Sequence, residues 1–193
     1  YTESNIPIHQ ALSFSNNSRL KNYIELQDNG HATFQSIIND GIYAPYFWSV
    51  RHFQEGQKLE HLVRISPQGT PLGFSISLPE TYSLPNTSVE TARTLSETMA
   101  TKDWNLDLSQ YTLIETSSKE QPNGRLDHSF TYEHKTYHFN DAKLRINLSF
   151  SGNLFTNLNH YFYIPQTFFQ EFEHMRSFNN TLAQVALFVM VCI

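Results

Sequence analysis

Two stretches of this chain share one layout, in which two strand-like runs flank a short turn that contains a glycine. They span residues 59–81 and 142–168, and their turns contain Gly69 and Gly152. Alternation of apolar and polar side chains along each run is the pattern of a half-buried strand. Each stretch then reaches a proline, which cannot continue a strand ladder. The pattern predicts two antiparallel hairpins, because glycine adopts without steric cost the positive φ that tight turns need.

Each predicted hairpin is preceded by another strand candidate and, before that, by a helical segment. The strand candidates are residues 46–53 and 126–133, and the helical segments are residues 33–39 and 88–102. Apolar residues in the second helix recur at helical spacing, and Thr87 or Ser88 is placed to cap its first turn. We expect residues 132–140 to form a hairpin loop.

The order of elements predicts an α+β fold made of two similar units, each a helix packed on an antiparallel sheet. We place the first unit at residues 1–83 and the second at residues 84–168. Residues 169–193 would form a connecting helix that leads into a membrane segment. This layout resembles that of PepSY-like and cystatin-like modules. The alternative is that two unrelated hairpins with glycine turns merely look alike.

The last thirteen residues, Thr181 to Ile193, are uncharged and largely apolar. A membrane-spanning helix needs about 20 apolar residues. We interpret the run as the first half of a transmembrane helix, and the alternative is a core helix of a globular protein. Because Tyr1 is not methionine, we also expect a segment upstream, such as a membrane anchor, which would place the domain outside the cytoplasm, in the periplasm.

Charge and cysteine content exclude several classes of function. The formal net charge is −5, and the lysine and arginine residues are scattered singly. This charge argues against a nucleic-acid partner, because phosphate binding needs a basic surface. The single cysteine, Cys192, excludes a disulfide framework and a site of several thiolates.

Few residues are grouped with the types and spacing that a chemical role needs, and we identify no catalytic residue and no metal site. Arg125 and Asp127 would share one face of a strand and could pair, whereas His128 would point away. This group is either a structural ion pair or part of a groove for a peptide or small ligand. His128, His134 and His138 are close in sequence, but they match no zinc-binding spacing, which favours surface or strand-flanking histidines.

Several segments resemble the N-terminal region of bacterial CPBP-type (CAAX-protease-like) intramembrane metalloproteases. They are residues 48–53, which include Trp48 and Arg51, the Gly69 turn with Gly73 and Phe74, residues 125–133, Ile164 with Pro165, and Phe168 with residues 173–177. The resemblance implies that this soluble region precedes a bundle of membrane helices. That family uses a paired-glutamate EExxxR motif and membrane histidines that bind a metal, and the resemblance implies zinc in the parent protein. Here Phe172 separates Glu171 from Glu173, so Glu171, Glu173 and Arg176 do not match the motif.

The resemblance therefore implies a non-catalytic accessory domain that recruits substrate, senses a ligand or gates a membrane-embedded protease, with no cofactor of its own. We expect the membrane and a peptide or protein substrate as its partners, with Arg125, Asp127, His128, Trp48 and Arg51 as binding or structural residues. An edge strand of the sheet would accept an extended peptide by strand addition. The alternatives are a free-standing PepSY-like module that binds or inhibits a peptide or ligand, and a soluble hydrolase that uses the histidine-rich segment.

Overall fold

The computed structural model describes residues 8–26 and 30–191, and this part of the chain contains eight strands and four α-helices. The predicted α+β class is confirmed. The strands are β1 (Ile8–Asn16), β2 (Tyr46–Gln54), β3 (Glu60–Ile65), β4 (Pro71–Ser77), β5 (Tyr111–Glu120), β6 (Leu126–Phe139), β7 (Ala142–Ser151) and β8 (Leu154–Tyr163). The helices are α1 (Ser18–Glu25), α2 (Gly30–Asp40), α3 (Val89–Trp104) and α4 (Gln166–Val191).

All eight strands form one antiparallel sheet in the order β1-β2-β3-β4-β8-β7-β6-β5. The two predicted hairpins are β3–β4 and β7–β8, and their last strands, β4 and β8, pair with each other. The sheet therefore joins both halves of the chain and leaves β1 and β5 as its outer strands. The predicted boundary after residue 83 lies between β4 and α3, and the separate folding of the two units stays a prediction.

The helices cover one face of the sheet and enclose two apolar clusters. Helix α3 packs Ala92 and Ala100 against a cluster that includes Phe130, Ile146 and Leu148. Helices α1 and α2 contribute to a second cluster with strands β7 and β8. Its fully buried members are Leu20, Ile24, Ile37, Ala142 and Leu144. Helices from the first half of the chain thus pack on strands from the second half, so the two halves share a core.

The opposite face of the sheet is polar, because side chains alternate between the two sides of each strand. Asn147 Nδ2 donates to Ser129 Oγ at 2.7 Å, and Asn157 Nδ2 donates to Asn147 Oδ1 at 3.0 Å. Glu133 on β6 pairs with Arg145 on β7 across the same face. Arg64 and Asn159, which belong to the site described below, lie on this polar face.

Helix α3 begins where the sequence places it. Ser88 is the N-cap, and its Oγ accepts a hydrogen bond from the backbone N–H of Thr91 at 3.3 Å. Glu90 lies in the first turn, where a carboxylate interacts favourably with the helix dipole. Of the two predicted caps, the structure therefore uses Ser88.

The prediction of a hairpin loop at residues 132–140 is wrong. Strand β6 continues to Phe139, with an irregularity in its pairing with β7 between Glu133 and His138. Tyr137 and Phe139 pack against the cluster that includes Leu144, which keeps this polar segment on the sheet. Strands β1 and β5 and helix α1 were not expected from the sequence either.

Helix α4 is continuous from Gln166 to Val191, so helical phase is maintained from Phe168 into the apolar tail. Within the described residues, no helix combines the length and the apolar character needed to cross a membrane. The truncated membrane helix stays a prediction, and Tyr1, Cys192 and Ile193 lie outside the described residues.

The joint between β4 and β8 depends on the absence of a side chain at Gly73. Only two residue pairs align there, Phe74 with Leu158 and Ser75 with Asn157. A Cβ atom at Gly73 would lie 2.3 Å from the carbonyl oxygen of Leu158, closer than real Cβ contacts allow. The two halves therefore approach each other at a position that only glycine fits.

We predict that Gly73→Ala lowers the free energy of unfolding by about 3 kcal/mol, since overpacking adds to an unfavourable φ. Gly69→Ala is the matched control, because Gly69 also has positive φ (+89°) but has no neighbouring atom within 4 Å of the added Cβ. The control should lose only about 1 kcal/mol. Urea unfolding of both variants measures the difference, and equal losses would refute the importance of the close approach.

Candidate functional site

A cavity of about 410 Å³ opens where β4 and β8 separate. Beyond the pair Phe74–Leu158, the ladder between the two strands stops. The imidazole of His160 instead bonds through Nδ1 to the carbonyl oxygen of Leu72 at 3.0 Å. The loop before β2 and the start of α1 close the cavity, which is within the size range of small-molecule sites.

Arg64 is the central charged group of the cavity wall. Its guanidinium group donates to Asn159 Oδ1 and lies 5.9 Å from the centre of the Phe47 ring. Burial lowers the pKa of Arg64, although an arginine in a protein stays protonated. Within residues 8–26 and 30–191, Arg64 belongs to no ion pair. Among the described residues, this partly buried cation is therefore contacted by the neutral amide of Asn159 and the ring of Phe47 but by no carboxylate.

Tyr43 and Asn17 form the polar wall on the helix side. Asn17 is the N-cap of α1, and its Oδ1 accepts from the Leu20 N–H at 3.1 Å. Its Nδ2 donates to the hydroxyl oxygen of Tyr43 at 2.7 Å. Burial raises the pKa of the Tyr43 phenol, more than the Asn17 hydrogen bond lowers it. The Tyr43 hydroxyl thus stays protonated at neutral pH, with its own proton available to an acceptor.

His160 is neutral at neutral pH. Burial lowers its pKa, the hydrogen bond to the Leu72 carbonyl opposes that shift, and the Arg64 charge adds to it. Because a carbonyl oxygen only accepts, Nδ1 of His160 carries the proton and Nε2 has a free lone pair. The imidazole therefore holds the end of β4 in place rather than adding positive charge to the cavity.

The charge of the cavity wall is opposite in sign to that of the whole chain. The lining residues that the structure describes include Arg19 and Arg64 and no aspartate or glutamate, whereas the chain has a formal net charge of −5. Basic residues that concentrate in a cavity of an acidic protein attract anions. The chemistry that this arrangement supports is the binding of a negatively charged group.

The residues singled out in the sequence lie elsewhere. Arg125 is 3% exposed, and its Nε donates to Asp127 Oδ1 at 2.8 Å. The same guanidinium group donates to the backbone oxygens of Pro79 and Tyr82. Arg125 thus fastens the segment between β4 and α3 to the β5–β6 hairpin. We refer to this arrangement as the Arg125 clasp.

His128 extends the Arg125 clasp. Its Nδ1 bonds to Ser118 Oγ at 2.7 Å and its Nε2 to the backbone oxygen of Thr87 at 2.9 Å. Burial alone raises the pKa of Asp127, but hydrogen bonds from Arg125, Gln121 and Ser151 outweigh it and lower that pKa overall. These hydrogen bonds pair the polar groups of the clasp with other groups of the protein, as expected for residues with a structural role.

Trp48 and Arg51 also lie outside the cavity. Trp48 is 38% exposed on the helix side of the sheet, where its ring lies 4.8 Å from that of Phe14. Arg51 lies on the polar face, forms an ion pair with Glu60 and covers the ring of Phe53. Both residues therefore have partners within the first three strands.

The histidines do not form a metal centre in the part of the chain that the structure describes. No group of three or more histidine, cysteine, aspartate or glutamate side chains converges among residues 8–26 and 30–191. His134 Nδ1 instead accepts from the backbone N–H of Tyr137 at 2.9 Å. This hydrogen bond stabilises the irregular part of β6.

Comparisons of this chain with protein-family models, with curated protein sequences and with solved structures give no match. The site is therefore interpreted from its own residues. Sequence reasoning missed Arg64 and Asn159, because they are 95 positions apart and each sits in an ordinary alternating strand. No signal in the sequence sets Arg64 apart, because Glu60 lies four positions earlier on the same face of β3 and would have been the expected partner.

We predict that replacing Arg125 with alanine lowers the free energy of unfolding by about 3 kcal/mol, because Asp127 and two backbone oxygens lose a buried cationic partner. Arg51→Ala is the control, since its ion pair is partly exposed to solvent, whereas Arg125 is buried, and should contribute less. Chemical unfolding of the three proteins tests this. Equal stabilities of the two variants would show that the clasp does not stabilise the fold.

We also predict that His160 makes stability depend on pH. Burial keeps the pKa of His160 in the folded protein below the unfolded value of about 6.5. The contribution of neutral His160 to the free energy of unfolding is therefore fully present above that pH and is lost as the pH falls below it. His160→Gln should remove this part of the loss. Thermal unfolding of both proteins at pH 8 and pH 5.5 measures it. Burial also lowers the pKa of His134, but this residue is present in both proteins, so its effect cancels when their pH responses are compared. Identical pH responses of the two proteins would disprove the role given to His160.

Proposed function

We propose that this chain is a non-catalytic binding domain whose cavity beside Arg64 takes up an anionic group. The observation that carries the proposal is the partly buried guanidinium group of Arg64, which contacts a neutral amide but no carboxylate of the described residues. Removing a charge from water is costly unless the charge is paired. A ligand carboxylate would supply the missing partner through the parallel hydrogen bonds that arginine favours.

The neighbours of Arg64 fit a binding role better than a catalytic one. Asn159 orients the guanidinium group, and the Tyr43 hydroxyl can donate a further hydrogen bond to an anion. Among the described lining residues, no hydroxyl group is hydrogen-bonded to a histidine, as an activated nucleophile would be. These groups would recognise a ligand without transforming it.

We further propose that this binding serves a membrane-embedded metalloprotease of the CPBP type, with the domain recruiting substrate, sensing a ligand or gating access. The sequence resemblance supports this setting, together with the continuous helix α4 that follows directly after β8. In this proposal the chain consists of two similar units, α4 leads into a truncated transmembrane helix, and the domain is extracytoplasmic. The alternative is a free-standing PepSY-like module that binds the same ligand without an attached protease.

Strand β1 supports a second binding mode, the addition of a peptide strand to the sheet. It is an outer strand, and its side chains Ile8, Leu12 and Phe14 are more than half exposed on one face. An open strand of this kind offers unpaired backbone groups to an extended peptide. This mode needs no contribution from Arg64.

The test of the anion site compares benzoate with its neutral analogue benzamide by calorimetric titration. We expect benzoate to bind the wild-type protein and Arg64→Gln to weaken that binding about 10–100-fold, as the loss of hydrogen bonds to a charged group implies. Arg51→Gln is the matched control, because Arg51 lies on the same sheet face but is already paired with Glu60. Benzamide should bind neither variant better than the wild type.

Two results would contradict the proposal. Benzoate binding that is equally sensitive to Arg51→Gln and Arg64→Gln would indicate non-specific charge attraction. Absence of binding by benzoate, acetate and inorganic phosphate alike would remove the anion site. Circular dichroism of each variant checks that the fold is retained.

A further inference from the structure

The Arg64 cavity continues into a second, larger groove. The second groove has a volume of about 710 Å³ and shares Asn17, Arg19 and Tyr161 with the wall of the first. It follows the end of β8 to the first turns of α4, where its wall includes Gln170 and Glu173. The combined groove is therefore elongated, with the Arg64 cavity at one end and α4 at the other.

The two ends of this groove carry opposite charges. Arg64 lines the cavity end, whose described lining residues include no acidic residue, and Arg19 lies between the two ends in the walls of both grooves. Glu173 is the acidic residue of the second groove and is exposed at the α4 end. A small anion would use only the first end, whereas a ligand with a negative group at one end and a positive group farther along would use both.

The wall between the two ends suits a peptide backbone. Gln166 and Gln170 offer side-chain amides that have no hydrogen-bond partner among the described residues, and an amide both donates and accepts. The guanidinium group of Arg19 lies 4.2 Å from the centre of the Phe169 ring, which makes a flat apolar surface beside them. Polar groups that alternate with aromatic surface match the peptide groups and side chains of an extended chain.

We propose that the groove binds the C-terminal end of a peptide, with the terminal carboxylate at Arg64 and a basic side chain near Glu173. Most of the groove runs along β8 between residues 159 and 163. At about 3.3 Å per residue, this length corresponds to about four residues of an extended peptide. The basic residue would therefore lie about three or four positions before the C-terminus. This inference rests on the proposed anion site and names the class of ligand that fills it.

Because Phe169, Gln170 and Glu173 belong to α4, a bound peptide would bridge the sheet and the start of this helix. The terminal carboxylate would contact β3 and β8 through Arg64 and Asn159. Occupation of the groove would therefore fix the direction in which α4 leaves the sheet. In a membrane-linked protein, the orientation of α4 would transmit ligand binding to the segment that follows the helix.

The experiment uses the full chain and fluorescently labelled peptides of sequence Lys-Ala-Ala-Phe. One has a free C-terminal carboxylate, one is C-terminally amidated, and a third has glutamate in place of lysine. Fluorescence anisotropy should show that the free acid binds at least ~10-fold more tightly than the amide, because a charge-assisted hydrogen-bonded pair is lost. The glutamate peptide should bind more weakly than the lysine peptide.

Two variants assign each end of the peptide to its contact. Arg64→Gln should abolish the preference for the free acid and leave the preference for lysine. Glu173→Lys should reverse the preference between lysine and glutamate and leave the preference for the free acid. Glu90→Lys, which changes an exposed charge on α3 outside the groove, is the matched control and should change neither preference.

The outcomes separate this inference from the proposal on which it rests. Benzoate binding that depends on Arg64, combined with equal binding of the acid and amide peptides, would leave the anion site standing and overturn peptide recognition. Preference for the free acid without any effect of Glu173→Lys would also overturn the proposed direction of the peptide. Failure of benzoate and of all peptides to bind would overturn both proposals.

Discussion

The short pairing between β4 and β8 is the constraint on which the rest of the structure depends. It is the only hydrogen-bonded link between the strands of the two halves within the described part of the sheet, and it extends over two residue pairs. The backbones approach closely there because Gly73 has no side chain. Beyond this joint the strands separate, and the side chain of His160 binds the Leu72 carbonyl in place of a ladder hydrogen bond. The same geometry that joins the sheet therefore opens the cavity. A longer ladder would close the site, and a shorter one would leave the halves connected only through the helices and side-chain contacts such as the Arg125 clasp.

The contrast between the two faces of the sheet explains why the cavity is charged. The helices bury apolar side chains on one face, which leaves the polar residues of the strands on the other. On that polar face most charged groups have partners, as in the pairs of Arg51 with Glu60 and of Arg145 with Glu133. Arg64 differs because its strand position places it at the joint, where its neighbour across the sheet is Asn159. Its charge is retained without an anionic partner among the described residues, and this is the physical basis for proposing that the cavity is a binding site.

The clasp and the groove have different roles in this arrangement. The Arg125 clasp uses its hydrogen bonds internally to hold the connection between the halves, so the residues most noticeable in the sequence serve the fold. The groove instead leaves amide and guanidinium groups available and extends to the base of α4. A helix that begins at the proposed ligand groove and continues into an apolar tail is suited to transmit ligand binding to the next segment. The proposed accessory role in a membrane protein depends on that continuity.

The sequence alone determined the α+β class and both central hairpins and limited the cap of α3 to Thr87 or Ser88, because alternation, glycine turns and capping residues act locally. It did not reveal β1, β5 or the second part of β6, whose polar residues resemble loops until neighbouring strands pair with them. Residues such as Tyr137 are held on the sheet by distant core contacts rather than by intrinsic preference. The candidate site was beyond sequence reasoning for a related reason. Arg64 and Asn159 meet only because β4 and β8 pair in one register, and such non-local pairing is decided by the packing of the whole sheet. Local chemistry thus determined the central hairpins and helix α3, whereas the tertiary structure decided which charge had no partner among the described residues.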